Sequence, residues 1–125
     1  SQYSNDADIV YHAAGGTGLG VLDAAEETDQ LAIGVNTSQE SLHPGYVVTS
    51  MMKRVDQALF DAIAAYIDEG LSPGTVSYGL AEGGVGLSRS DIALSLVPGE
   101  VWEQVDQAKE QIIAGELEVT DAMRD

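Results

Sequence analysis

The chain has 125 residues, of which 44% are hydrophobic, and this length suits one ordinary core and not two independent domains. Its 21 Asp and Glu residues stand against five Lys and Arg, for a formal net charge of −16, which excludes nucleic acid as a partner and favours a salt-loving source where the charge is screened. Cysteine is absent, which excludes disulfides, thiolate nucleophiles and Cys-type zinc sites, and no apolar run approaches the ~20 residues that span a bilayer.

The N-terminal part of the sequence predicts a βαβ unit. A short β-rich run at Asp8–Ala13 leads into a glycine-rich loop, Ala14–Gly20. Apolar residues then recur with helical spacing as far as Glu27, and the Thr17 hydroxyl is expected to cap this helix by accepting a free backbone N–H. A second strand is predicted at Leu31–Val35. Because βαβ units carry parallel strands, both strands should end at the same edge of a sheet.

The middle of the chain predicts a third strand and a long amphipathic helix. The strand is expected at Tyr46–Thr49, after a polar segment that is rich in turn residues. Apolar residues from Val55 to Ile67 follow the i, i+3, i+4 spacing of a helix with one buried face. Gly70 lies where a helix commonly ends with a residue of positive φ.

The C-terminal part predicts a turn-rich return and a last helix. Thr75–Leu80 and Val85–Leu87, separated by Glu82–Gly84, are expected to form a hairpin-like pair. Ile92–Val97 is expected to be another strand or an extended connector, and a helix is predicted from Pro98 to Gly115. Strands that alternate with helices predict an α/β fold, with a mainly parallel sheet flanked by helices.

The glycine-rich loop, the end of the second strand and the residue beyond the third strand form the candidate ligand site. In open α/β folds, ligands bind at the carboxyl ends of the strands. The candidates for this edge are the glycine-rich loop with Gly15, Gly16, Thr17 and Gly18, together with Asn36 and Lys53. Alternatives remain open at this point: the glycines serve only to join strand and helix, Asn36 ends a strand through turn chemistry, and Lys53 is solvated surface.

The sequence offers no set of residues for catalysis or metal binding. The loop reads GxGxG, which lacks the spacing of the GxGxxG dinucleotide fingerprint. His12 and His43 show no zinc-ligand spacing, GxSxG is absent, and Asp56 is best placed as a first-turn helix acid. We therefore expect a binding protein without cofactor or metal. An α/β enzyme domain that binds a nucleotide cofactor, and a structural α/β domain without a small ligand, are the alternatives.

Five ordered blocks make the chain resemble the basic membrane protein family of lipoproteins. They extend over nearly the whole sequence and lie at Asp8–Leu22, Ala32–Asn36, Val48–Asp56, Tyr78–Leu87 and Lys109–Glu116. The resemblance implies the C-terminal part of a type I periplasmic-binding fold, in which two α/β lobes close on a nucleoside and deliver it to the permease of an ABC transporter. It also implies an extracytoplasmic location, at the cell surface or in the periplasm, with a lipid anchor on the full-length protein.

The resemblance implies ligand roles for the same residues that the strand pattern selects, namely Gly15–Gly18, Asn36 and Lys53. Family members usually carry Asp at the position of Asn36 and another acid at the position of Ser38. An Asp accepts two hydrogen bonds from a ribose diol, whereas Asn offers one acceptor and a donor group. Lys53 is therefore expected to bear more of the hydroxyl contacts if the ligand is a sugar-containing solute.

The resemblance further implies that the chain is part of a longer protein with an N-terminal lobe. Residues 1–74 are expected to form the βαβ core of the C-terminal lobe, with its ligand-facing loops. Residues 75–125 are expected to supply crossover strands, a hairpin and the C-terminal helix that complete the two-lobed fold. Because strand edges without neighbours invite association, a homodimer of this chain by itself is also expected.

Overall fold

A computed structural model describes residues 2–70 and 73–120 as strands and helices that alternate along the chain. The strands are β1 (Ile9–Tyr11), β2 (Leu31–Asn36), β3 (Val47–Lys53) and β4 (Val85–Leu87). The helices are α1 (Leu19–Glu27), α2 (Val55–Glu69), α3 (Asp91–Leu96) and α4 (Gly99–Ala114), with 3-10 turns at Tyr3–Asn5 and Gly15–Gly18. No helix in these described ranges is both long and apolar enough to cross a membrane.

The four strands form one sheet in the order β1-β2-β3-β4. β1 is parallel to β2 and β2 to β3, whereas β4 is antiparallel to β3. This arrangement confirms the predicted α/β class with a mainly parallel sheet. It also confirms the βαβ unit, since α1 connects two adjacent parallel strands.

The best-packed core lies between α1 and the sheet. Leu22 and Ala25 of α1 are fully buried against Ala32 of β2 and Val47 of β3. Tyr3 packs against this cluster and donates a hydrogen bond from its hydroxyl to the Leu31 carbonyl at 2.8 Å. Burial of one such Leu side chain stabilises a fold by roughly 1.5–3 kcal/mol, so α1 is held firmly on the sheet.

The α2 helix forms as predicted, but its apolar face is exposed. Leu59 is 60% exposed, Phe60 68% and Ile67 75%, and none of the described α2 side chains is buried. Gly70 ends the helix with φ 79°, as its position in the sequence predicts. The helical spacing therefore identified the helix correctly, while the surface that its apolar face should cover is not found within the described residues.

The predicted hairpin between Thr75–Leu80 and Val85–Leu87 is wrong. Residues 75–79 form no strand, and β4 instead pairs with the free edge of β3, where Lys53 lies opposite Val85. A local turn replaces the hairpin: the Gly79 N–H donates to Glu82 Oε2 at 2.8 Å, and the Gly84 N–H donates to the Gly79 carbonyl at 2.9 Å. These bonds use backbone groups that a two-stranded ladder would need.

The expectation of a strand or extended connector at Ile92–Val97 is also wrong, because this segment forms α3. Ser90 caps the helix, and its hydroxyl oxygen accepts the Ala93 N–H at 3.2 Å. Asp91 adds an acid to the first turn, where it favours the helix dipole. A serine cap at the start of a short apolar segment thus outweighed its β propensity. The last helix, α4, follows after Pro98 and ends at Gly115 as predicted.

Candidate functional site

The predicted site residues lie at one edge of the sheet, where the parallel strands end. β1 leads through residues 12–14 into the turn Gly15–Gly18, β2 ends at Asn36 and β3 ends at Lys53. Asn36 is paired in register with Met52, the residue before Lys53. The topology therefore brings the three predicted parts of the site to adjacent strand ends, with β2 in the middle.

The glycine-rich loop is a 3-10 turn that runs directly into α1. Gly15 has φ 55°, a left-handed conformation that glycine adopts without strain. Gly18 is buried against His12, and a Cβ at Gly18 would lie closer than 3.0 Å to the His12 ring. A residue larger than glycine at this point would displace either the turn or the ring.

Thr17 does not cap α1 as predicted. Its hydroxyl donates to the Ala14 carbonyl at 2.6 Å, and the N-cap position belongs to Gly18, where no side chain caps the helix. The correction has a simple cause: the 3-10 turn places Thr17 one residue too early, so its hydroxyl faces the preceding carbonyl. Thr17 itself remains exposed at the candidate site.

His12 forms the floor beneath this turn. Its side chain is only 5% exposed. Neither ring nitrogen has a hydrogen-bond partner within the described part of the chain. The contact with Gly18 fixes the height of the turn above the sheet.

Asn36 occupies a strained turn at the end of β2. Its φ is 69°, and the Thr37 N–H donates to the Val35 carbonyl at 2.9 Å, which closes a three-residue turn around it. Asn tolerates positive φ better than most residues because its short side chain bonds locally. The side chain is exposed, so the turn presents it at the strand edge.

The segment after Asn36 is fastened to the sheet by Gln39. Its side-chain oxygen accepts the Val35 N–H at 2.8 Å, and its backbone N–H donates to Ser50 Oγ of β3 at 3.0 Å. Gly34 leaves space for this arrangement, since a Cβ there would lie within 3.0 Å of Gln39 and Ser50 atoms. The turn at Asn36 is therefore supported from both β2 and β3.

Glu40 is a buried carboxylate that sequence reasoning missed. It is 0% exposed, and its Oε2 accepts hydrogen bonds from Ser38, from Ser88 at 3.2 Å and from Ser90 at 3.2 Å. Burial by itself would raise the pKa of Glu40, but hydrogen bonds from serine side chains and the backbone hold this pKa below its ordinary value. No sequence signal links Glu40 to Ser88 and Ser90, because 48 and 50 residues separate them along the chain.

Lys53 is an exposed cation at the end of β3, without an ion-pair partner in the portion of the chain described. Its neighbour Arg54 is engaged, because the guanidinium bonds Asp56 at 2.8 Å. The hydrogen bond and charge of Asp56 raise the pKa of Arg54, and Arg54 in turn lowers the pKa of Asp56. Asp56 is thus the first-turn acid that the sequence predicted, and Lys53 is left available to a ligand.

His43 fastens the other end of the segment between β2 and β3. Its Nε2 lies 3.1 Å from Asp23 and its Nδ1 2.6 Å from Glu26, both on α1. These contacts link residues 37–46 to α1 on the side of the βαβ core. His43 therefore belongs to the support of the fold and not to the strand-end edge.

A separate cavity of about 610 Å³ lies between β4 and α4. Its walls are mainly apolar, with Arg89, Asp106 and Lys109 among the lining residues. Arg89 is held there by Asp106 at 2.5 Å and by the Trp102 ring, whose centroid is 4.5 Å from the guanidinium carbon. None of the predicted site residues lines this cavity, so the strand-end edge is a different surface.

One family model and several known proteins match most of the chain. The family model described as "ABC transporter substrate-binding protein PnrA-like" matches residues 1–122. The chain is 35% identical to basic membrane protein A of Borreliella afzelii over 119 residues, which is 92% of this chain and 36% of that protein. It is 32% identical to a CD4+ T-cell-stimulating antigen of Listeria innocua, over 95% of this chain and 37% of that protein.

A solved structure shares the fold. A solute-binding protein of an ABC transporter system from Aeropyrum pernix superposes with a TM-score of 0.78 at 27% identity, over 97% of this chain and 42% of that one. The chain thus spans little more than a third of the length of the curated relatives that it matches.

Proposed function

Because the chain belongs to the family of PnrA-like ABC transporter substrate-binding proteins, we propose that it forms part of a nucleoside-binding site that serves such a transporter. The ligand would be a nucleoside or a related sugar-containing solute, bound at the strand-end edge. The protein would bind and release this solute unchanged, and we assign it no catalytic role.

One observation carries this proposal: Gly15–Gly18 follow β1, and Asn36 and Lys53 end β2 and β3, so all three lie at the carboxyl ends of adjacent parallel strands. This edge is where open α/β sheets commonly bind ligands. The turn at Gly15–Gly18 offers close backbone approach, Asn36 offers an amide donor and acceptor, and Lys53 offers a cation. Together they suit hydroxyl groups and a polar ring better than a phosphate, since Lys53 is the one unpaired basic side chain among the site residues.

The chain would supply one side of a cleft, and the rest of the longer protein would supply the other. Residues 1–74 would form the core of one lobe, and residues 75–125 would contribute the elements that connect it to the other. The complete protein would be extracytoplasmic and lipid-anchored, and its bound form would dock on the permease. One relative that supports this location is an uncharacterized lipoprotein of Pyrococcus horikoshii, which is 32% identical over 126 residues.

Titration of a purine nucleoside into the intact protein tests the site directly. We expect Lys53→Ala to weaken binding by about tenfold or more, since a hydrogen bond to a charged group contributes roughly 1.5–3 kcal/mol. Lys109→Ala is the matched control, because it removes a lysine side chain that lies on α4, away from the strand-end edge. Its nucleoside affinity should stay within about twofold of wild type. Unchanged affinity in Lys53→Ala would remove Lys53 from the site.

A further inference from the structure

Glu40 combines complete burial with hydrogen bonds from serines of its own segment and of two others. Its Oε2 receives hydrogen bonds from Ser38 in its own segment, from Ser88 just after β4 and from Ser90 at the start of α3. The other carboxylate oxygen, Oε1, is buried and has no hydrogen-bond partner in the part of the chain described. No cation accompanies it in the part of the chain described, so serine hydroxyls are what stabilise the buried charge.

The serines around Glu40 are themselves fixed. The Ser88 N–H donates to the Ser50 carbonyl at 2.8 Å, and the Ser88 carbonyl accepts from Thr49 Oγ1 at 2.9 Å. Ser90 is committed as the cap of α3. The donors Ser88 and Ser90 are therefore anchored to β3 and α3, while Ser38 and the acceptor belong to the loop segment that follows β2.

The loop segment held in this way begins at the Asn36 turn. Within five residues the turn closes through Thr37, Gln39 bridges β2 and β3, and Glu40 enters the serine cluster. A turn with positive φ is costly and persists only where the surroundings determine it. Without the contacts of Glu40, the hydrogen bonds of Thr37 and Gln39 would be the main restraints on the Asn36 turn.

We propose that Glu40 is a positioning residue of the ligand site: its buried carboxylate, held by Ser88 and Ser90 of two other segments, fixes the turn that presents Asn36. This inference rests on the proposed function for its effect on ligand affinity. The structural part, that Glu40 orders the turn, stands independently and is tested separately.

Amide hydrogen exchange in the intact protein tests the structural part without any ligand. In Glu40→Ala, the Thr37 and Gln39 amides should exchange about tenfold faster, the change expected when a hydrogen bond to a charged group is lost from a local opening equilibrium. The Leu31 and Ala32 amides, at the opposite end of β2, should keep their wild-type rates. Glu40→Gln should restore slow exchange, because its side-chain oxygen still accepts from the serines.

Two further variants complete the exchange experiment. Ser88→Ala removes one hydrogen-bond donor and keeps the Glu40 charge, so it should accelerate exchange of the Thr37 and Gln39 amides to a smaller extent. This variant still tests the proposal if Glu40→Ala fails to fold. Glu103→Ala, an exposed acid on α4, is the matched control and should change neither amide. Wild-type exchange at Thr37 and Gln39 in both Glu40→Ala and Ser88→Ala would overturn the proposal, as would equal acceleration of every amide.

A titration with adenosine and inosine tests the consequence for binding. Glu40→Ala should weaken the affinity by about tenfold, and Glu40→Gln and Glu103→Ala should keep it near wild type. If the wild-type protein binds neither nucleoside, the proposed function fails, while the exchange rates still decide whether Glu40 orders the turn. Unchanged affinity in Glu40→Ala, beside a binding wild type, would overturn the positioning role.

Discussion

At the scale of single residues, the candidate site depends on positions whose identity is set by close packing. Gly18 lies against the His12 ring, with no space for a Cβ, whereas a Cβ at Gly20 would meet nothing within 4 Å. These two glycines lie two residues apart, yet they carry different constraints. Sequence alone treats them as equal members of a glycine-rich loop.

We predict that Gly18→Ala destabilises the protein by about 1–3 kcal/mol, because the new methyl group overpacks the floor of the turn. Gly20→Ala, within α1, should instead leave stability unchanged or raise it by up to about 1 kcal/mol through helix propensity. Chemical denaturation measures both. Equal stability of the two variants would show that His12 does not support the turn.

The lowered pKa of Glu40 predicts how the free energy of unfolding changes at acid pH. Its pKa is lowered in the folded protein, so its carboxylate contributes stability above the ordinary Glu pKa of about 4.3 and loses that contribution as the pH falls through the lowered value. The difference in unfolding free energy between wild type and Glu40→Gln should therefore shrink below about pH 4.3. Denaturation at several pH values checks this, and a difference that grows on acidification would mean that burial raises the pKa instead.

At the scale of elements, the mainly parallel sheet and the three longer helices were predictable where the spacing of apolar residues is regular. The βαβ unit and α4 follow such patterns, and both are confirmed. The two wrong predictions concern short segments in the C-terminal part of the chain. β4 pairs with β3 and not with Thr75–Leu80, and a cap at Ser90 turns Ile92–Val97 into a helix. The pairing of β4 depends on a strand that is distant in the sequence, whereas α3 depends on its local Ser90 cap.

The site was predictable in part for the same reason. Parallel strands place their carboxyl ends together, so Asn36 and Lys53 could be assigned to one edge from the order of elements. The support beneath that edge could not be predicted. Glu40 depends on Ser88 and Ser90, which reach it only because β4 joins the sheet beside β3.

The exposed apolar face of α2 leads us to predict that the chain associates with copies of itself. Phe60 is 68% exposed and lies on a helix whose described side chains are all at least partly exposed. Large exposed apolar patches mark contact surfaces. The 125-residue chain alone should therefore self-associate, and Phe60→Glu should reduce its apparent mass in light scattering. Leu42→Glu is the matched control at an exposed leucine outside α2, and it should leave the mass unchanged. A monomeric wild-type chain would contradict this use of α2.

At the scale of the whole molecule, the chain belongs to the family of PnrA-like ABC transporter substrate-binding proteins, and the nucleoside ligand is a proposal. The chain carries the ends of three parallel strands, a supported Asn36 turn and a Lys53 without an ion-pair partner among the described residues, and we propose that they bind a solute with several hydroxyl groups. The net charge of −16 places this site on a strongly acidic molecule. The salt-loving source that this charge favours stays a prediction.

The most direct test of the central claim is a thermal-shift panel on the intact protein at high salt, with nucleosides, free sugars and NAD as separate ligands. A ligand that binds only the folded state raises the unfolding temperature. At a free ligand concentration of 100 times its dissociation constant, it adds about 2.7 kcal/mol to the free energy of unfolding. We predict that purine nucleosides raise the unfolding temperature and that NAD and free sugars do not. Stabilisation by NAD alone, or no response to any member of the panel, would contradict a nucleoside-binding function.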